Sequence, residues 1–194
     1  GNTTETNRDK GIYVEGNINN IGACRDYFTA ITGNTVKADN LSGILVFHAK
    51  ADINKNNVSD TGAGVGEGVV VQYSGDSIIS ENNISGVKTA KYNNGNGIIV
   101  ANNSDNVIVY KNKVTSSGNH GIQVTYSSEN VTVLANDVSG SGHQGITFSR
   151  DSQGIIAGNR VLQSKNHGII NENSNVKTGG NYVSGVGEEC IAYN

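Results

Sequence analysis

The chain has 194 residues and a formal charge of −3, with 17 acidic residues against 14 Lys and Arg. That length is enough for one domain with a sizeable core. The charge leaves no electrostatic footprint for DNA or RNA, and no apolar run reaches the length of a membrane span.

There are 26 Gly and abundant Asn, but no Pro, Met or Trp. Regularly spaced Val and Ile supply a core, which argues against disorder. The missing Met fits a piece of something larger. Residues 1–194 are expected to be a single domain within a longer protein. Two cysteines are too few for a disulfide framework.

A Gly, or its replacement, followed by an apolar residue recurs along the chain. The pairs are Gly11-Ile12, Gly43-Ile44, Gly68-Val69, Gly97-Ile98, Gly121-Ile122, Gly145-Ile146, Gly168-Ile169 and Cys190-Ile191, at intervals of 32, 25, 29, 24, 24, 23 and 22 residues. A second column is Asn-x-Val/Ile, at Asn34, Asn56, Asn82, Asn112, Asn136, Asn159 and Asn181. In most repeats nine residues separate this Asn from the next Gly. Asn2 and Gly11 keep the same offset, so the chain begins and ends inside a repeat.

Between these columns the apolar residues alternate. Ile122 and Val124 fall on one side and Gln123 and Thr125 on the other, with Val131, Val133 and Val138 continuing the pattern. Period two in short runs divided by Gly, Asn and Ser is the strand signature. A repeat of this length predicts one turn of a solenoid, each coil burying its apolar side against the next. The expectation is an all-β, single-stranded parallel β-helix of about seven full coils, with no evident caps. The Asn column is expected to serve a tight bend, because Asn tolerates a left-handed backbone. Its stacked side chains are expected to form a hydrogen-bonded ladder.

The wording Gly-Ile-x-Val, then Asn-Val-x-Val-x-x-Asn-x-Val-x-x-Ser-Gly, resembles the right-handed parallel β-helix repeats of the pectate-lyase-like superfamily. Within it, the mannuronan C5-epimerase-like modules read most alike. The likeness covers nearly the whole chain and is carried by scaffold residues. It implies an active-site role for a His placed before such a Gly, which here is His120. The Asp-Pro-His-Glu motif of those enzymes is absent: the corresponding strand reads Gly68-Val-Val-Val-Gln-Tyr73, and Asn96 stands where an acid is usual.

Function in a solenoid sits where the repeat is broken. Extra residues occur at 21–28, 59–67 and 85–96. The last two fall in the same turn of neighbouring coils and are expected to wall a groove. Beside them runs the column Glu67, Asn96, His120, Gln144, His167 and Glu189, one residue per rung at ~4.8 Å spacing. The bland reading of this column is a set of exposed turn residues.

An anionic-polysaccharide lyase needs a base, a group to neutralise the carboxylate, and an acid for the leaving oxygen. His120, Lys91 (or Lys88) and Tyr92 are the candidates. Glu67, Asn96, Gln123, Gln144 and His167 are candidate substrate contacts. A second column, His48, Tyr73, Asn102, Tyr126 and Arg150, lies at the far end of the same strands, ~20 Å from the first. Tyr126 and Arg150 suit sugar stacking or a protein contact, and a stacked surface ladder is the plainer reading. The outward row Tyr13, Leu45, Val70 and Ile99 is apolar and needs cover, from this chain or another.

No Asp cluster or Cys/His spacing marks a metal, and no cofactor is expected. Cys24 and Cys190 should lie ~30 Å apart by rung count, too far for a bridge. The expected function is an extracellular or phage-borne module binding or cleaving an acidic polysaccharide, lyase- or epimerase-like, at the cell surface or on a virion. The other is a non-enzymatic structural segment of a cell-surface or phage-tail assembly. Expected partners are a polysaccharide and, at the open ends, further copies of the chain or neighbouring segments.

Overall fold

The computed structural model describes residues 1–5, 10–16, 28–37, 40–61, 66–88, 94–172 and 175–193. Among them are 23 strands and no helix. Each coil contributes one strand to each of three parallel sheets. The coil from Gly97 shows the plan: Ile98–Ala101 joins the first sheet, Ile108–Tyr110 the second and Lys113–Thr115 the third. The next strand, Ile122–Thr125, then pairs with Ile98–Ala101 in the first sheet again. The first and third sheets hold eight strands and the second seven, stacked in chain order.

Register follows the sequence columns. Ile98 pairs Ile122, which pairs Ile146, and Val114 pairs Val138. Inward residues therefore stack like on like: Ile122 and Val124 from the first sheet, Val109 and Val133 from the second, Val114 and Val138 from the third, all fully buried. Phe148 is the one large aromatic among them.

The Gly column has a steric cause. A Cβ on Gly121 would sit 2.2 Å from Val138 Cγ1 and 2.6 Å from the Gly145 carbonyl oxygen. Neither neighbour can yield without shifting the next rung, so the corner closes only on glycine.

The Asn column forms the expected ladder. Asn112 donates from its backbone N–H (2.9 Å) and its Nδ2 (3.1 Å) to Asn136 Oδ1. Asn136 does the same to Asn159 Oδ1, at 2.9 and 3.0 Å. The ladder runs from Asn2 to Asn181.

The expected left-handed Asn is not found there. The left-handed residue is the one before each Asn: Gly33, Lys55, Glu81, Lys111, Ala135, Gly158 and Gly180. The bend is made one residue earlier, and the Asn is kept for its amide. Ala135, with φ 55°, carries the steric cost of a Cβ in this region, about 1–2 kcal/mol. Ala135→Gly removes that cost and adds chain entropy to the unfolded state. We expect a net stabilisation of about 0.5–1 kcal/mol, read as a raised urea midpoint.

A second ladder lies at the opposite corner. Ala49 N–H donates to Ser74 Oγ, Ser74 N–H to Ser104 Oγ, Ser104 N–H to Ser128 Oγ and Ser128 N–H to Ser152 Oγ, at 3.1–3.2 Å. The outward apolar row is covered within the chain itself at Val70 and Ile99 and partly at Leu45. Val70 is 3% and Ile99 9% exposed, and they cluster with Ala101 against Leu45. Tyr13 remains exposed.

Candidate functional site

The corner before the first sheet carries the residues that precede each Gly. The insertions at 59–67 and 85–96 leave and rejoin their rungs in register. Ser59 pairs Ser85, Lys88 N–H donates to Thr61 O at 2.9 Å, and Gly95 N–H donates to Glu67 Oε2 at 2.9 Å. Their described ends thus lie side by side.

From Glu67 to His167 this column is not an exposed strip, and only Glu189 at its end stands exposed. Glu67 is 8%, Asn96 2% and Gln144 7% exposed, and His120 is partly buried. Glu67 Oε2 accepts the backbone N–H of both Gly95 and Asn96. Its Oε1 faces Asn96 Nδ2 at 3.3 Å. Asn96 Nδ2 also donates to Gln123 Oε1 at 3.1 Å, and Asn96 Oδ1 accepts His120 N–H at 3.0 Å. Glu67, Asn96, Gln123 and His120 form one connected set across three rungs.

The two titratable members are pushed in opposite directions. Burial raises the Glu67 carboxyl from its ordinary 4.5 to about 7, although the donated hydrogen bonds from Asn96 and Gly95 work against it. Burial also lowers the His120 imidazole from 6.5 to about 3, with the nearby charge of His143 adding to the effect. The Gln144 side chain, as a hydrogen-bond acceptor, pulls the other way. Near neutrality His120 is neutral and Glu67 exchanges its proton.

His143 was not singled out in the sequence, yet its ring centroid lies 5.2 Å from that of His120. Its position next to Gln144 in the column was the available signal. Further along, His167 Nε2 meets Glu188 at 2.9 Å, and its Nδ1 accepts Glu189 N–H at 3.2 Å.

The far column is separate. His48, Tyr73, Asn102, Tyr126 and Arg150 all have left-handed φ of 50–58°. The His48 and Tyr73 rings stack at 4.9 Å with 18° between planes, and Arg150 lies 4.4 Å over the Tyr126 ring. Stacked along the axis, His48 and Tyr73 turn their edges outward rather than their faces.

Lys91 and Tyr92 lie outside the described residues, as does Cys24. Cys190 is an exposed free thiol. Among the described residues no group of three His, Cys, Asp or Glu is placed to hold a metal ion, and no helix is long and apolar enough to cross a membrane.

Comparison with known proteins agrees with this architecture. No curated protein matches the chain. Among solved structures, the periplasmic alginate epimerase AlgG superposes with a TM-score of 0.69 at 18% identity, covering 95% of this chain and 47% of that one. A doubly substituted form of AlgG gives 0.70 at 26% identity, covering 84% and 38%. The A-module of the mannuronan C-5 epimerase AlgE4 from Azotobacter vinelandii gives 0.55 at 15% identity, covering 84% and 55%. The chain thus spans about half the length of these proteins or less. The family described as right-handed β-helix region matches residues 67–194, more than half of the chain. With three stacked parallel sheets and the residues that close its corners, the chain belongs to the right-handed β-helix family.

Proposed function

We propose that the chain is a carbohydrate-active β-helix module that binds or cleaves an acidic polysaccharide, in the manner of a lyase or epimerase. The observation that carries this reading is the pair of opposed titrations on one rim. Asn96 Nδ2 faces the Glu67 carboxylate and Asn96 Oδ1 accepts the backbone N–H of His120, so a carboxyl titrating near 7 and a residue whose imidazole is held neutral stand on one hydrogen-bonded rim. Environments that drive two titratable groups apart are how a site assigns acid and base work. AlgG, a periplasmic alginate epimerase, and AlgE4, a mannuronan epimerase, are in keeping with an acidic polysaccharide as substrate and a location outside the cytoplasm; our reading places the module at the cell surface or on a virion.

In this reading His120 offers its lone pair to the substrate and Glu67 exchanges a proton near neutrality. Gln123 and His167 contact the sugar, and Asn96, the third candidate, acts from beneath by holding Gln123. The exposed Lys88, together with Lys91, neutralises the uronate carboxylate, and Tyr92 is the acid for the leaving oxygen. The rungs repeat at ~4.8 Å, close to the length of one sugar in a 1,4-linked chain, so a polymer along the axis meets one rung per residue. Tyr126 and Arg150, across the same rungs from that path, meet a separate sugar segment.

Incubation with polymannuronate, pectate and capsule-type polymers should yield unsaturated ends or an altered uronate ratio by NMR. His120→Ala should lower that rate by about 100- to 10,000-fold, the range of a positioned acid or base.

A second reading is a structural segment of a surface or tail assembly. It is favoured by two observations: Glu67 spends its acceptors on the chain's own N–H groups, and His167 pairs with Glu188. Under it no polymer is turned over, and substitutions at Glu67 or His120 change stability alone.

A further inference from the structure

Along the rim, side chains receive the backbone N–H of the following rung. Glu67 receives Asn96, Asn96 receives His120, and His167 receives Glu189. The run is interrupted between. His120 Nδ1 and Gln144 Oε1 are both sealed from solvent, and neither has a partner within hydrogen-bond geometry. They stand on adjacent rungs, because Gly121 and Gly145 pair through Gly121 N–H to Gln144 O and Ile122 N–H to Gly145 O. An amide oxygen only accepts, whereas an imidazole Nδ1 either donates or accepts. Leaving both sealed atoms unpaired costs about 1–3 kcal/mol each. The Gln144 side chain is the hydrogen-bonding group that acts on His120, and one arrangement of the pair satisfies both atoms: the proton sits on Nδ1 and is donated to Oε1.

We propose that Gln144 is a positioning residue for His120: its Oε1 takes the Nδ1–H hydrogen bond, which fixes the tautomer and leaves the lone pair on Nε2. Its use in catalysis rests on the reading of the rim given above; the tautomer itself does not. The logic is that of any histidine base oriented through its second nitrogen. A neutral amide orients the ring without adding charge. A carboxylate at this position would stabilise the imidazolium and give up the neutral form. The other titratable and charged groups facing the ring fit this. His143 lies 5.2 Å away and opposes a charge on His120. Glu67 is two rungs away and spends its oxygens on Gly95 and Asn96. His167 is paired with Glu188.

The test is nitrogen-15 NMR of the histidine side chains in the folded protein near neutral pH. The expected native spectrum places His120 Nδ1 at the protonated, pyrrole-type position and Nε2 at the pyridine-type position. Gln144→Leu should move His120 toward the Nε2–H tautomer that free imidazole side chains prefer. Gln144→Glu should raise its titration midpoint from about 3 by about 1–3 pH units. A native spectrum with Nε2 protonated overturns the proposal, and that measurement needs no variant to fold. So does a Gln144→Leu spectrum identical to the native one. A chain with the expected tautomer but no activity on any polymer would sink the enzymatic reading and leave the role of Gln144 standing.

Discussion

Asn136→Ala is expected to cost about 4–6 kcal/mol, enough to unfold many domains of this size. Asn136 serves three rungs at once. Its Oδ1 receives both donors of Asn112, at 2.9 and 3.1 Å. Its Nδ2 donates to Val109 O at 2.9 Å, Leu134 O at 3.1 Å and Asn159 Oδ1 at 3.0 Å. Alanine removes all of these and adds no partner. The groups left behind are buried, and each unpaired buried donor or acceptor costs about 1–3 kcal/mol. Asn136→Asp separates the two halves of the amide. Its oxygen on the Asn112 side still accepts, but the one replacing Nδ2 faces the Val109 and Asn159 acceptors. The Asp variant should therefore regain stability in acid, where a protonated oxygen donates once, while the Ala variant should not. Urea midpoints at neutral and acidic pH check both. A cost for Asn136→Ala below about 1 kcal/mol would mean the ladder does not bear on stability.

The columns that the sequence displays are those where one residue type alone fits. Gly121 is legible because a Cβ strikes the next rung. Asn136 is legible because the corner needs an acceptor and two donors at short reach, and of the two amide side chains only Asn is short enough. The left-handed corners were not legible. They are filled by Lys55, Glu81, Lys111 and Ala135 as well as by glycine, and a conformation that costs only about 1–2 kcal/mol need not select a residue. The Ser74–Ser152 ladder was within reach, since its members follow the repeat interval. Serine is so common in turns that the column does not stand out.

The candidate site divides in the same way. Spacing alone brought Glu67, Asn96, His120, Gln144 and His167 into one column. It could not say that the column is sunk rather than raised, because depth is set by how the corner folds and not by which residues share it. Burial is what turns Glu67 into a group titrating near 7 and His120 into an imidazole that stays neutral. The sequence offered His120 as a base; the titration behaviour of the rim came from the structure. Gln123 shows the converse. Its outward place was read correctly from the alternation, but its tie to Asn96 crosses from the strand to the corner of the preceding rung. A periodic pattern carries no information on such a contact.

The largest pH effect expected is one the native chain conceals. Folded Glu67 holds its proton to about 7 and the unfolded group to about 4.5. Its contribution is full below 4.5, falls as pH rises, and is gone above about 7. Folded His120 refuses a proton down to about 3, whereas the unfolded group takes one at 6.5. Its contribution is full above 6.5 and falls as the solution is acidified toward 3. Each slope is about 1.4 kcal/mol per pH unit, and between 4.5 and 6.5 they have opposite signs. The two groups together should leave native stability nearly level across that window, falling on either side. Glu67→Gln removes one slope, so stability should climb with pH from about 3 to 6.5, by roughly 5 kcal/mol in all. His120→Gln removes the other, so stability should decline from 4.5 to 7, by roughly 3 kcal/mol. Titrations shared by all three proteins cancel when each variant's urea-derived stability is subtracted from the native value at the same pH. Difference curves of opposite slope between 4.5 and 6.5 are the expected result. Two flat curves would mean that neither group is buried as the rim geometry requires, and the acid–base reading of the site would fall with them.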